Sequence, residues 1–229
     1  MRRVHGLAVV TAALMFVTAF TPALAQDQTK AVAGGGISAP GWMGQVDPGG
    51  RQPLSSSKLV KEGDVLHVTT GPAVSYWNPA NKATGDYTVK ATFREPKFMD
   101  LNSHPHSYGI FVGGNAMGTD QMTLLYCVTY GDGQVMVRGF GPSVFTLLRE
   151  QPNAAVHKAA AVGQPVTQDI VWRVKGGRAE CSVNGTIVAS YDKPQIVGSG
   201  KLQSTDGVFG IRFTHNVEAV ISGFGMTKG

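Results

Sequence analysis

Residues 104–140 read HPHSYGIFVGGNAMGTDQMTLLYCVTYGDGQVMVRGF. Three apolar runs lie in this stretch. In the first, SYGIFVGG, Tyr108, Ile110 and Val112 alternate with Gly109, Phe111 and Gly113, the period of a β-strand. Its glycines leave room for another backbone or for a ligand. The second and third, MTLLYCVTY and QVMVRGF, flank Gly131-Asp132-Gly133. An Asp-Gly pair between two alternating runs predicts a tight hairpin, because such a turn needs positive φ. Three successive strands are therefore expected, the last two joined by the turn.

The neighbours on both sides carry the same signature. In VLHVTT (65–70), Leu66 and Val68 alternate with His67 and Thr69. After Gly71-Pro72 a short strand is expected to reach Tyr76-Trp77 and to break at Asn78-Pro79. DYTVKATFRE (86–95) alternates most cleanly: Tyr87, Val89, Ala91 and Phe93 on one side, Thr88, Lys90, Thr92 and Arg94 on the other, one face on a core and one face wet. Downstream, residues 141–166 are irregular, and NAAVHKAAA (153–161) is the one helical candidate of any weight. Strands resume at QDIVWRVK and RAECSVNGTIVAS, where Asn184-Gly185 marks a second hairpin. GVFGIRFTH (207–215) and VEAVISGFGM (217–226) are expected to pair with each other. About a dozen short strands with frequent turns and little helix predict an all-β fold, a two-sheet antiparallel sandwich, with an up-and-down barrel as the alternative.

The chain opens like an export signal. Arg2 and Arg3 precede an apolar run over residues 7–20, and Ala23-Leu24-Ala25 supplies the small-x-small cleavage pattern. Removing 25 of the 229 residues leaves 204, the size of one large β-domain, and takes the net charge from +5 to +3 by loss of two arginines. The mature protein is expected in the periplasm or beyond, as a polar leader over 26–40 followed by a single domain over 41–229. No later stretch is long and apolar enough to span a membrane. The mild, scattered positive charge forms no basic stripe, which argues against nucleic acid as a partner. The two cysteines, Cys127 and Cys181, are read as separate buried thiols, since free cysteine packs as a small apolar residue. One disulfide is the alternative in an oxidising compartment.

Several segments together resemble one family: GDVLHVTTGPAVSYWNPAN, GDYTVKATF, HPHSYGIFVGG, a strand ending in YGDGQ, SVNG, and GVFGIRFTHNVEAVISGF. They look like bacterial exported proteins of the concanavalin A-like lectin/glucanase superfamily, near laminin-G-like domains and 3-keto-glycoside hydrolase-like domains of unknown function. The resemblance covers roughly residues 41–226. It implies a jelly roll of two packed sheets, one concave, with sugars bound or cleaved on that concave face. It also makes His104-Pro105 a structural lead-in to the Tyr108 strand. The strings of two glutamates flanking an aspartate in the laminarinase-type members, E-x-D-x-x-E or E-x-D-x-E, are missing here, which counts against retaining glycosidase chemistry.

The candidate site residues are few. Tyr76, Trp77 and Asn78 combine aromatic faces with an amide, a combination suited to sugar rings and hydroxyls. Tyr108 lies beside the glycines of its strand. Arg212 alternates away from Phe209, Ile211 and Phe213, and with Arg138 and Arg94 could line a polar cleft, with His215 and Asn216 just beyond it. His104 and His106, two apart on an extended chain, point the same way, and could share a metal if His67, His157 or His215 supplied a third imidazole. The reading adopted for them is structural, with no metal and no cofactor. No nucleophile motif and no carboxylate pair stands out. The expected function is carbohydrate binding, with a glycan or small molecule as partner. The alternatives are a glycoside hydrolase or lyase acting on modified sugars, or an envelope interaction module.

Overall fold

A computed structural model describes Met1 and residues 30–229. The basic start, the apolar run and the cleavage pattern of the expected export signal lie outside the described residues. The described strands are, in order, β1 (Gly36–Ser38), β2 (Met43–Val46), β3 (Lys58–Glu62), β4 (Val65–Thr69), β5 (Val74–Ala83), β6 (Tyr87–Glu95), β7 (Ser107–Asn115), β8 (Thr123–Tyr130), β9 (Gln134–Phe140), β10 (Val144–Pro152), β11 (Val166–Lys175), β12 (Arg178–Val183), β13 (Thr186–Asp192), β14 (Gly207–Phe213) and β15 (Glu218–Lys228). They form a jelly-roll sandwich. One sheet has the order β1-β3-β4-β15-β6-β11-β12-β13, the other β10-β9-β8-β7-β14-β5-β2. Among the described residues each sheet is open, with β1 and β13 at the edges of one and β10 and β2 at the edges of the other, and neither closes into a barrel.

Alternation decides what meets between the sheets. From β6 come Tyr87, Val89, Ala91 and Phe93, all buried; from β7 Tyr108, Ile110 and Val112; from β14 Phe209, Ile211 and Phe213. The Phe93 and Tyr108 rings stack at 5.6 Å between centroids, one from each layer. Trp172 of β11 crosses the interior, and its indole N–H donates to the Ile110 carbonyl at 3.1 Å. Both predicted hairpins form, β8–β9 around Asp132 and β12–β13 around Asn184-Gly185. In the second, Asn184 has a φ of 49° and Gly185 a φ of 82°. Positive values at both central residues are what such a turn demands.

The cysteines correct the sequence reading. Cys127 of β8 and Cys181 of β12 are bridged, Cα atoms 6.5 Å apart, so the disulfide joins one sheet to the other through the core. Spacing along the chain could not show that the two strands face each other across the interior.

Five segments also depart from expectation. Residues 144–152, expected to be irregular, form the edge strand β10 on β9; it is mostly unburied and its register shifts twice, so no clean apolar alternation announces it. Gly36–Ser38, expected within the leader, pairs in parallel with Lys58–Val60 of β3. A glycine-rich strand at a sheet edge has no side-chain pattern to announce it. β5 does not end at Asn78-Pro79. It continues to Ala83, and the ladder to β14 jumps from Trp77 to Lys82, so the proline, which has no N–H to give, sits in a bulge. Residues 153–161 do not form a helix. The buried Gln168 side chain bonds both N–H and C=O of His157, at 3.0 and 2.7 Å, and Ala159 N–H goes to Gly131 at 2.8 Å. The α-helix that does form among the described residues is the single turn α1 (Lys193–Ile196), capped by Asp192. Finally, β14 and β15 do not pair with each other. The link between them crosses from one sheet to the other, held by the Thr70 hydroxyl, which donates to the Thr214 carbonyl and accepts from Val217 N–H, each at 3.0 Å.

Candidate functional site

The seven-stranded sheet is buried on both faces in its middle. Its inner face joins the sandwich core. On its outer face Trp77, Phe111, Leu124, Tyr126, Val128, Tyr130, Met136 and Phe140 form a second apolar layer. Tyr126, Val128 and Tyr130 alternate along β8 with the core residues Leu125 and Cys127, so β8 is buried throughout rather than half wet. A cleft of about 410 Å³ opens on this outer face. Asp47, Tyr126, Tyr130, Arg138, Phe140, Glu150, Arg212 and His215 are among the residues that line it.

Arg212 organises the cleft. It points outward from β14, as its alternation with Ile211 and Phe213 requires, but it is only 2% exposed. It is paired with Gly109 of β7, which carries no side chain, and its guanidinium reaches across to β8 and β9. There it lies 5.2 Å from the Tyr126 ring centre and 5.4 Å from that of Phe140. Both distances are within cation–π range. Burying an arginine is costly unless it is paired and hydrogen-bonded. Asp47, 165 residues away along the chain, meets that need. Its two carboxylate oxygens accept from Nη1 and Nη2 in a bidentate pair. Burial opposes the charge, but Asp47 and Tyr126 outweigh it, and the guanidinium pKa is raised.

The phenols have the complementary property. Burial raises the pKa of Tyr126 despite Arg212 and Arg138 nearby, and it raises that of Tyr130, helped by the neighbouring Glu150. Both stay protonated at neutral pH and can donate. Two N–H groups of the cleft residues, Nε of Arg138 and Nε of Arg212, are buried and find no acceptor among the described residues. The cleft thus combines aromatic faces, phenol and guanidinium donors, and two carboxylates, of which Asp47 is paired with Arg212.

The sequence candidates fall in different places. Arg138, Arg212 and His215 come together in this cleft. Trp77 lies on the same outer face but lines a separate cleft of about 530 Å³, with Met43, Met117 and Val208. Tyr76 and Tyr108 point inward and are fully buried in the sandwich core. The Asn78 side-chain oxygen Oδ1 accepts from Ala80 N–H at 2.9 Å within the β5 bulge. Asn216 holds the backbone of Lys30, accepting from its N–H at 2.8 Å and donating to its C=O at 3.0 Å. Arg94, grouped with the other arginines by sequence, projects from β6 in the opposite sheet and is exposed. His104 and His106 sit with His215 at the end of β7.

Sequence reasoning missed Asp47, Tyr126, Tyr130, Phe140 and Glu150. The outward parity of Tyr126, Tyr130 and Phe140 is legible in β8 and β9. Nothing local links Asp47 to Arg212, because that contact exists only once β2 and β14 share a sheet.

No protein-family model matches this chain, and no curated protein matches it in sequence. Among solved structures it is similar to a protein of unknown function with a galectin-like fold from Bacillus subtilis, with a TM-score of 0.52 at 13% identity, covering 82% of this chain and 89% of that one. It is similar to a putative glycosyl hydrolase from Parabacteroides distasonis, with a TM-score of 0.50 at 11% identity over 75% of this chain and 90% of that one. A weaker likeness, TM-score 0.46 at 9% identity over 84% and 98%, is to the carbohydrate-binding module CBM66 from Bacillus subtilis. At such identities the likeness to the first two establishes the fold alone, a two-sheet β-sandwich.

Proposed function

We propose that this protein is an exported β-sandwich that binds a neutral saccharide in the cleft around Arg138 and Arg212. One observation carries the reading: the Arg138 and Arg212 guanidinium groups line a cleft whose wall also presents Tyr126, Tyr130 and Phe140. Saccharides offer what such a wall needs. Their hydroxyl oxygens accept from N–H and phenol donors, and the C–H faces of their rings lie on aromatic carbon. The volume of about 410 Å³ falls within the range of small-molecule sites, roughly 300–1,000 Å³. Arg138 and Arg212 are balanced by Asp47 and Glu150, so charge gives no preference for an acidic glycan. Asp47 is held by Arg212, so the cleft presents no free carboxylate pair, which favours binding over acid–base hydrolysis. The Cys127–Cys181 bridge supports export, since disulfides persist in oxidising compartments.

The test is a screen of the mature protein against plant, bacterial and algal glycans, followed by calorimetry. Binding of a neutral oligosaccharide is expected, with Arg138→Ala weakening it tenfold or more, the loss of a charged hydrogen bond worth about 1.5–3 kcal/mol. A blank screen, or an Arg138→Ala protein that binds like the wild type, removes the proposal.

A further inference from the structure

We propose that His104, His106 and His215 form a binding site for a divalent transition-metal cation of the zinc class, at the end of β7 beside the cleft. The inference is independent of the saccharide reading and stands whether or not the cleft takes a sugar.

The topology builds the site. β7 and β14 are antiparallel neighbours with Phe213 opposite Tyr108, and Thr214 N–H continues the ladder to Ser107 at 2.9 Å. One step further, the same register sets His215 against His106. His104 lies two residues before His106, and Pro105 between them keeps His104 extended, so both rings come to the same side. The ring centres of His106 lie 4.4 Å from His104 and 3.9 Å from His215. One nitrogen from each ring falls within 4.8 Å of the other two. Sequence alone leaves the third ligand open among three histidines; the β7–β14 register supplies it.

The environment suits a cation better than three protonated rings. Imidazolium groups this close would repel, whereas neutral rings can turn lone pairs toward one point. Two of the rings meet an oxygen at Nδ1: the His215 carbonyl for His106, whose Nδ1 also contacts the Asn102 side-chain amide, and the Asn216 side-chain oxygen, at 3.4 Å, for His215. An N–H at Nδ1 leaves Nε2 as the ligand atom, the arrangement that second-shell acceptors impose on metal-binding histidines. His104 Nε2 and His106 Nε2 face each other at 2.7 Å. Zinc–nitrogen bonds of about 2.0–2.1 Å in a tetrahedral shell hold ligand atoms roughly 3.4 Å apart. A small outward turn of His104, which is exposed, opens that space. Asn102 Nδ2 contacts both ring nitrogens of His106 and would yield the one to Nε2, at 3.2 Å, to the ion.

An all-imidazole set selects zinc, copper or nickel and discriminates against calcium and magnesium, which require oxygen ligands. Three protein ligands also leave a coordination position open, as exchangeable zinc sites do and closed structural ones do not. His215 lines the cleft as well, so the cation would stand at its wall.

The experiment uses the mature chain without a histidine tag, stripped with chelator and then titrated with zinc chloride by calorimetry, with melting temperature followed in parallel. One zinc per chain and a raised melting temperature are expected, with no response to calcium or magnesium chloride. His104→Ala and His104→Gln, both at an exposed position, should lower zinc affinity at least tenfold, and His104→Cys should restore it. No zinc uptake by the wild type, or uptake unchanged in both His104 variants, overturns the proposal.

Discussion

At the scale of single residues, burial decides which polar groups matter. Arg212 can stay charged inside the outer layer only because Asp47 pairs with it and two aromatic rings flank it. Glu95 has a different fate. It is buried at the end of β6, one carboxyl oxygen accepts from Met99 N–H at 3.4 Å, and the other has no hydrogen-bond partner among the described residues. Burial pushes its carboxyl from 4.5 up to about 7, with Asp132 adding to the rise and the Met99 bond opposing it. The folded state therefore holds a proton that the unfolded state has lost. Between pH 4.5 and 7 the native form binds more protons, so stability is greatest below about 4.5 and falls as pH rises through 7. The shift corresponds to about 3 kcal/mol. Urea unfolding at pH 5 and pH 8 should show that decline in the wild type, and Glu95→Gln should flatten it and be the more stable protein at pH 8. Equal slopes in the two proteins would remove Glu95 as its source.

At the scale of elements, alternation tells which residues share a face but not what lies above that face. The inward sets of β6, β7 and β14 follow from period two alone, and all are buried. The outward set of β8 follows from the same period, yet it reads as part of an apolar run because a second layer covers it. Pairing between distant strands is not legible. β14 and β15 are adjacent in sequence and lie in different sheets, while Asp47 and Arg212 are far apart and touch. Gly109 shows how closely the site strands approach. A Cβ there would stand 2.0 Å from the Cys127 carbonyl oxygen and 2.8 Å from the Val128 Cα, both backbone atoms of β8. Gly109→Ala should destabilise the fold by about 2–3 kcal/mol in urea unfolding, since a strand and not a flexible side chain must move. A change under about 0.5 kcal/mol would mean that β7 and β8 are packed more loosely than this.

At the scale of the whole molecule, two sheets are joined by a broad apolar interior and one covalent bridge. Cys127 and Cys181 lie 54 residues apart in sequence. Closing that loop restricts the unfolded chain more than the folded one. Replacing both cysteines by alanine should lower stability by about 2–4 kcal/mol and leave the sandwich folded, because a core of this size does not require the bridge. Denaturant curves and far-UV dichroism check the two halves of that statement. The histidine cluster and the arginine cleft meet at His215, and the cleft carries the functional reading. An amide NMR titration of the mature protein with the saccharide selected by glycan screening tests it most directly. The account predicts shifts concentrated at Tyr126, Tyr130, Arg138 and Arg212. Shifts confined to the Trp77 cleft or to the exposed face of the opposite sheet would contradict it.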